Sequence, residues 1–459
     1  MNKEVTAELI ASLHKLMENE PSNQERLQVS RCLLDYLGST LAGVRLLESS
    51  TTGIIKLLGE FNEGVSPIGI DSNVSLETAA LINGLNSHVA EMDDGVRFGM
   101  IHPGAPIFSA LLPIAEKFKV KSEDLIRGVL VGYDAALRLA SAIQPSHYKR
   151  GYHPTATCGS IGATMAIAGM LIFTKKEMED ALGAVSVSAA GSLKVVGNSS
   201  ELKPYNVGRA ASLAVQSAIV GKAGLTSPMD SLGGKTGFLN MTTDSLKEEY
   251  LFRSPPKDYW IHSVYIKPFA ACRHAHPSIE AALEIIQENT FHTTDVKKIT
   301  ITTYEGLKGR HDNQEVSSVS SAKMSIPFSV AIALNSGSAG IQDFNQEAVE
   351  SNKNKVLSKK ITIEENQKYS DLVPDKRPAS IQIDLKDGKS YRKEIIYPKG
   401  EPENPMSNQE LMEKYKELAM YGGVRIEDMN QIIDQVWTMP QNLDSLFSTI
   451  KRCNLIGVK

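Results

Sequence analysis

The sequence lacks the features that mark several large classes of protein. Its 459 residues include only four cysteines, which are far apart and form no CxxC pair, so thiols in a reducing compartment are the simplest expectation. No run approaches 18 apolar residues, and the acidic N-terminus has no apolar core, so neither a membrane span nor a signal peptide is expected. We therefore predict a cytoplasmic protein with no membrane partner.

Basic clusters and nucleotide-binding motifs are also missing. The net charge is -4 and no segment concentrates lysine and arginine, which argues against a nucleic-acid partner. There is no GxGxxG after a strand, no GxxxxGKS/T and no GxSxG. The sequence therefore does not predict a nucleotide or dinucleotide enzyme.

The first 250 residues are predicted to be mostly helical. Ser22 and Thr174 each begin a capping box, in which a glutamate follows three residues later. Residues 158–172 and 207–225 are rich in alanine and glycine and nearly uncharged, which is typical of buried helices that pack closely.

The pattern changes near Pro255. Residues 297–304, 380–385 and 390–397 alternate as strands do, and Asp387-Gly388 stands where a hairpin turn would be. A chain this long exceeds one ordinary core. The predicted fold is mainly α: a large all-helical domain formed by both chain ends (1–265 and 399–459) with an inserted smaller α/β lid domain (266–398). Clefts between such domains are common ligand sites.

Residues 88–104 gather acids, a cation and an imidazole at a helix end and the loop after it. Glu91, Asp93 and Asp94 precede Arg97 and His102 by a few residues. A carboxylate beside a histidine is a plausible acid/base pair. A helix C-terminus with solvated charges is the alternative interpretation of this segment.

Three further segments carry groups that could do chemistry. His153 precedes a buried helix, where the helix dipole disfavours its charged form, although local hydrogen bonds would also account for it. Lys203 precedes another buried helix and could hold a carboxylate, or be a surface charge. The third segment is dense in polar groups: Lys267, Cys272, Arg273, His274 and His276. Zinc would need more ligands than Cys272 and His276, so no metal is predicted.

The order and spacing of these segments resemble the MmgE/PrpD family, which includes 2-methylcitrate dehydratase and cis-aconitate decarboxylase. The resemblance covers nearly the whole chain. It rests on Glu91-Met-Asp-Asp with His102-Pro-Gly, on Gly151-Tyr-His153, on Lys203-Pro-x-x-x-Gly208-Arg, on Ser231-Leu-Gly-Gly, on Lys267-Pro-Phe-x-x-Cys272-x-x-x-His276, and on Asn404-Pro-Met-Ser.

The resemblance implies a homodimer, a cofactor-free site between the domains, and small di- or tricarboxylate substrates. Such chemistry needs a base, an acid and cations that neutralise growing negative charge. By resemblance the site includes His102, His153 and Asp93, or its neighbours Glu91 and Asp94. Our hypothesis is that the two histidines exchange protons and that the Asp93 region orients one of them. Lys203 completes the catalytic set, and the resemblance implies Lys267, Cys272 and His276 as substrate-binding residues. Arg97 is a further candidate to bind a substrate carboxylate.

Four positions depart from the decarboxylase branch of the family. Gly95 stands where that branch has a threonine, Asn206 and Cys272 replace histidines, and Phe328 stands near a tyrosine position. The predicted function is a cofactor-independent lyase of the 2-methylcitrate dehydratase or cis-aconitate decarboxylase type. The alternative is an epimerase or isomerase of a related dicarboxylate that uses the same groups. A polycarboxylate-binding protein and a metal-dependent hydrolase are further alternatives.

Overall fold

A computed structural model describes residues 4–196, 202–252 and 259–457. The described residues form two compact units. The first draws on the ranges Met1–Val196, Leu202–Val264 and Asn408–Lys459, and the second on Tyr265–Ser407. The protein is mainly helical, with a small mixed sheet in its C-terminal region.

Helices dominate the first unit. Both predicted capping boxes are present, because the Ser22 and Thr174 side chains accept hydrogen bonds from Glu25 N–H and Glu177 N–H. The helices are Val5–Met17, Asn23–Leu46, Glu48–Leu58, Leu76–Val89, Gly104–Lys117, Ser122–Ile143, Ser146–Lys149, Pro154–Met170, Lys175–Ser186, Lys203–Lys222, Phe238–Thr242, Glu248–Leu251, Asn408–Gly422, Ile426–Thr438 and Asp444–Arg452. No helix in the described part of the chain combines the length and apolarity needed to cross a bilayer.

Small residues bring the central helices together. The Pro154–Met170 helix is buried along its whole length and packs against Ser122–Ile143. A Cβ added at Gly132 would lie 2.5 Å from the Ala166 Cβ, so a larger residue would force the two helices apart.

A second close contact fixes the helices that carry the site. The Lys203–Lys222 helix packs on Leu76–Val89. A Cβ at Gly84 would lie 2.6 Å from the Gly208 Cα, so the two backbones touch where these glycines meet. The end of one helix and the start of the other are therefore held at fixed separation.

The first unit is not purely helical, which corrects the all-helical prediction. Strand Ile70–Asp71 pairs in parallel with Ile456–Gly457. Two residues at each position give too little alternation to be read as strands from sequence. The pair joins a late segment of the chain to an early one.

The second unit contains a four-stranded sheet whose strand order is Ile361–Glu365, Val296–Thr303, Ala379–Leu385 and Ser390–Ile395. The first two strands are parallel, and the other pairs are antiparallel. Gly388 takes a φ of 92° in the predicted hairpin turn. The His276–Glu288 helix packs on the hairpin strands. The helices of the second unit are His276–Glu288, Val319–Met324, Ile326–Ser336, Gln346–Glu350, Asn352–Ser358 and Gln367–Ser370.

Candidate active site

The 88–104 segment forms a tight, buried turn between two helices. The Leu76–Val89 helix ends at Ala90, and the next helix begins at Gly104. Glu91 has a φ of 58°, a left-handed conformation that is rare for a residue with a long side chain. Strained backbone of this kind clusters at functional sites, and here it turns the chain sharply after the helix.

Asp93 lies between two imidazoles. Its Oδ2 is 2.7 Å from His88 Nδ1 and 3.5 Å from His102 Nδ1. His88 and Asp93 are both buried, whereas His102 keeps 16% of its side chain exposed. The ring centroids of His88 and His102 are 5.1 Å apart. The predicted carboxylate–histidine neighbourhood is therefore present, with His88 as an additional member.

The tautomer of His102 follows from its hydrogen bond. His102 Nδ1 is 2.6 Å from the Asp94 carbonyl oxygen, which can only accept, so Nδ1 carries the hydrogen. In the neutral ring, Nε2 then presents a lone pair. A lone pair on a partly exposed imidazole is the form that a general base needs.

His153 is held in the opposite tautomer. Asn206 Nδ2 is 3.2 Å from the Ser192 carbonyl oxygen, which fixes this atom as the amide donor. The same nitrogen is 3.3 Å from His153 Nδ1, so Nδ1 accepts and Nε2 carries the hydrogen. Burial, followed by the nearby His88 and Lys203, holds the pKa of His153 well below its usual range. The ring is therefore neutral and presents an N–H donor.

Lys203 is paired with Glu91. The Lys203 ammonium donates to a Glu91 carboxylate oxygen, and both side chains are largely buried. The close contact at Gly84 and Gly208 positions this pair, because it fixes the Lys203–Lys222 helix against the Leu76–Val89 helix, which ends two residues before Glu91. Instead of an open cation, the first unit holds a Lys–Glu ion pair beside the imidazoles.

Asp94 has a structural role that the sequence did not separate from that of Asp93. It accepts hydrogen bonds from Gly104 N–H at 2.9 Å and from Tyr133 O–H at 2.6 Å. A carboxylate at this position suits the start of the Gly104–Lys117 helix. Burial raises the pKa of Asp94 to about 7. Below the turn, Lys414 bonds the Met92 carbonyl at 2.7 Å and pairs with Asp35.

Arg97 is half-buried in the loop between Val96 and Ile101, whose backbones form an isolated bridge. Its neighbour Phe98 packs edge-on against Trp260. The loop that carries Arg97 is thus closed by pairing at both its ends.

Three predicted residues lie in the second unit: Lys267, Cys272 and His276. Lys267 and His276 are fully buried, and Cys272 is half-buried. His276 Nε2 is 3.1 Å from the Ala271 carbonyl oxygen, and its ring meets Phe269 edge-on. His276 thus holds the loop that leads into its own helix. His274 contacts the Tyr304 hydroxyl.

Sequence reasoning did not single out His88 as a site residue. Its Nε2 is buried and has no hydrogen-bond partner among the described residues, although its Nδ1 bonds Asp93. Leaving such an atom unpaired costs about 1–3 kcal/mol. The sequence signal that could have identified His88 was its position five residues before Asp93. His311, which lies near Cys272 and His274, had no sequence motif.

Two sets of side chains within the described ranges could hold a metal ion. His88, Asp93 and His102 form one set, and Cys272, His274 and His311 form the other, each with ligand atoms within 4.8 Å of one another. In the second set, Arg273 and Arg377 act on His274 as nearby positive charges, which disfavours a dication. The absence of a metal stays a prediction.

Comparison with known proteins assigns the chain to a family. Residues 8–250 match the MmgE/PrpD N-terminal domain, and residues 269–439 match the C-terminal domain. A cis-aconitate decarboxylase-like protein of Aspergillus oryzae is 24% identical over 444 residues, covering 90% of each chain. A cis-aconitate decarboxylase of Homo sapiens is 22% identical, covering 91% of this chain and 88% of its own. One of Aspergillus terreus is 23% identical over 84% of both. The protein therefore belongs to the MmgE/PrpD family of lyases.

Proposed function

We propose that this protein is a cofactor-independent lyase that acts on a small di- or tricarboxylate. The reaction removes or delivers a proton at a carbon next to a carboxylate, as in dehydration of a 2-methylcitrate-type acid or decarboxylation of a cis-aconitate-type acid. Similarity to cis-aconitate decarboxylases supports the substrate class.

The observation that carries the proposal is the complementary state of two imidazoles. His102 Nε2 presents a lone pair and His153 Nε2 presents a hydrogen, because Asp94 and Asn206 hold their Nδ1 atoms in opposite roles. One ring can accept a proton while the other stabilises developing negative charge by donating. Two rings held in the same tautomer would offer two proton acceptors or two donors, but not one of each.

The groups around the two rings have supporting roles. Asp93 stabilises positive charge on His102 once that ring has taken a proton, at the 3.5 Å separation. The Lys203–Glu91 pair supplies a cation for a substrate carboxylate if the carboxylate displaces Glu91. Lys267, Cys272 and His276 are assigned to substrate binding by family resemblance, and Arg97 is proposed as a further cation for a substrate carboxylate.

An epimerase or isomerase is the second candidate. The same pair of rings, one accepting and one donating, is what an enzyme needs to remove a proton and return it to another position. Gly95 and Cys272, which depart from the decarboxylase pattern, favour a reaction other than decarboxylation.

A substrate screen tests the proposal. Purified protein is treated with a chelator and incubated in heavy water with citrate, 2-methylcitrate and cis-aconitate, and the products are followed by mass spectrometry. A lyase gives a mass loss of water or carbon dioxide from one acid, whereas an epimerase gives deuterium uptake without mass loss. Full dependence of turnover on an added metal ion would contradict the cofactor-independent mechanism.

A further inference from the structure

A cysteine, two histidines and a tyrosine cluster in the second unit. Ligand-type atoms of Cys272, His274 and His311 lie within 4.8 Å of one another, and His274 also contacts the Tyr304 hydroxyl. Cys272 and His274 are partly exposed, whereas His311 and Tyr304 are buried. Cys272 is therefore partly accessible from solvent, next to a buried imidazole and a buried phenol.

Two consecutive carbonyl groups hold the backbone of Cys272 and the imidazole of His311. Cys272 N–H donates to the Lys323 carbonyl at 2.8 Å, and His311 Nδ1 is 2.9 Å from the Met324 carbonyl. A carbonyl can only accept, so His311 Nδ1 carries the hydrogen and the neutral ring has its lone pair on Nε2. The Ile326 N–H also donates to the His311 carbonyl at 2.8 Å, which fixes the backbone of this residue.

Two buried arginines, Arg273 and Arg377, lie close enough to the cluster to act on it as positive charges. Burial lowers the pKa of His274 well below its usual range, and Arg377 and Arg273 add to the effect as nearby cations. Arg273 is paired with Glu401, so its charge is partly compensated, whereas both arginines also act on Tyr304. Positive charge stabilises a thiolate and attracts carboxylates, and it opposes the binding of a metal dication.

We propose that Cys272 is a nucleophilic thiol, activated by His311, that adds to α,β-unsaturated carboxylates. A nucleophile next to a base that is itself oriented by a third group is the general arrangement of covalent catalysis. His311 Nε2 takes the thiol proton, and the sulfur forms a bond to the β carbon as the carbon–carbon double bond breaks. The proton then passes to the α carbon, so the addition is balanced and nothing is oxidised or reduced.

The choice of electrophile rests on the proposed function, since dehydration or decarboxylation of small polycarboxylates produces or consumes unsaturated acids. The reactivity of the thiol does not rest on it. The two parts are therefore tested by separate measurements.

Alkylation rates test the thiol. The full-length protein is treated with iodoacetate or iodoacetamide, and each cysteine is followed by peptide mass spectrometry. We expect Cys272 to react at least tenfold faster than Cys32, Cys158 and Cys453, which are buried, and faster with anionic iodoacetate than with neutral iodoacetamide. His311→Gln should slow Cys272 about tenfold or more, whereas His292→Gln, an exposed histidine of the same unit, should have no effect.

Three alkylation results would overturn the nucleophile. They are a Cys272 rate equal to that of glutathione, a preference for the neutral reagent, and an unchanged rate in His311→Gln. Zinc bound at one ion per chain and lost in Cys272→Ser would also overturn it, because a metal-bound thiolate would be protected.

Adduct formation tests the electrophile. Intact-mass spectrometry after incubation with cis-aconitate should show an adduct of the whole acid on Cys272 and none in Cys272→Ser. Rapid alkylation without any such adduct would overturn the unsaturated-carboxylate assignment and leave the nucleophile standing. An adduct in a protein that turns over none of the screened acids would support the thiol while the lyase proposal fails.

Discussion

At the scale of single residues, one amide sets the chemistry of the candidate site. Asn206 donates to both Ser192 and His153 and so keeps the hydrogen of the neutral His153 ring on Nε2. An asparagine cannot change its protonation state, so the tautomer of His153 here does not depend on pH through residue 206.

Exchanging this amide for an acid tests that role. Asn206→Asp places an acceptor against His153 Nδ1, which moves the ring hydrogen to Nδ1 and favours the charged ring by raising its pKa. We expect kcat at neutral and alkaline pH to fall by about 10- to 1000-fold, and part of the loss to be recovered as the pH falls, because protonation of the ring returns a hydrogen to Nε2. Asn206→Ser, which keeps a donor, should recover part of the rate. An unchanged pH profile in Asn206→Asp would remove Asn206 from the mechanism.

A second residue-scale prediction concerns stability and pH. His147 is fully buried, its Nδ1 is 3.0 Å from the Thr242 carbonyl, and burial lowers its pKa to about 4. The unfolded chain binds this proton near pH 6.5, so folding is disfavoured as the pH falls from 6.5 towards 4. The contribution is fully present above pH 6.5, and about 3 kcal/mol is lost across that window.

Urea denaturation at pH 7.5 and pH 4.5 measures this effect. His147→Gln should show a smaller drop in unfolding free energy between the two pH values than the wild type, and His292→Gln should behave as the wild type. Asp94, whose pKa is raised to about 7, contributes with the opposite sign in both proteins and cancels in the comparison. Equal drops in His147→Gln and the wild type would contradict the assignment.

At the scale of elements, a glycine contact between two helices positions the Lys203–Glu91 pair. A Cβ at Gly84 meets the backbone of Gly208 at 2.6 Å, and backbone cannot give way as a side chain can. We expect Gly84→Ala to lower the unfolding free energy by about 1–3 kcal/mol and to lower kcat/KM, because Lys203 moves relative to Glu91.

A glycine in open space is the matched control. Gly53 lies in the Glu48–Leu58 helix, and a Cβ added there meets nothing within 4 Å. Gly53→Ala should stabilise the protein by about 0.5–1 kcal/mol, since alanine favours the helix, without changing kcat/KM. Chemical denaturation and steady-state kinetics check both variants. Equal effects at the two glycines would show that the contact between Gly84 and Gly208 does not position the Lys203–Glu91 pair.

Patterns with a local cause could be predicted from the sequence at this scale. Capping boxes marked the Asn23–Leu46 and Lys175–Ser186 helices, and the alternation of Ile381 and Ile383 with the Asp387-Gly388 turn marked the hairpin. Strand Ile361–Glu365 was missed, because one apolar alternation of five residues is too short a signal. Its place beside Val296–Thr303 depends on non-local pairing.

The candidate site was predictable only in part, for the same reason. Asp93, His102 and His153 could be predicted as site residues because each lies in a short polar segment of the sequence. The partner of each carboxylate is a residue distant in sequence: Asp94 accepts a hydrogen bond from Tyr133, and Glu91 pairs with Lys203. The spacing of residues along the chain does not predict these contacts. Lys203 was expected to bind a substrate carboxylate, and in the structure it is paired with the Glu91 carboxylate.

At the scale of the whole molecule, family resemblance predicts a homodimer. Analytical ultracentrifugation at micromolar concentration should give twice the 50.0 kDa mass of the chain. A concentration-independent monomer would contradict this prediction.

The most direct test of the account is the effect of His102→Gln and His153→Gln on turnover of the acid that the wild-type protein consumes. Each variant should fold, as judged by circular dichroism and thermal unfolding, and lose at least about 100-fold in kcat, because each removes one half of the proton transfer. Folded variants that retain wild-type kcat would show that the two imidazoles of opposite tautomer do not carry the reaction.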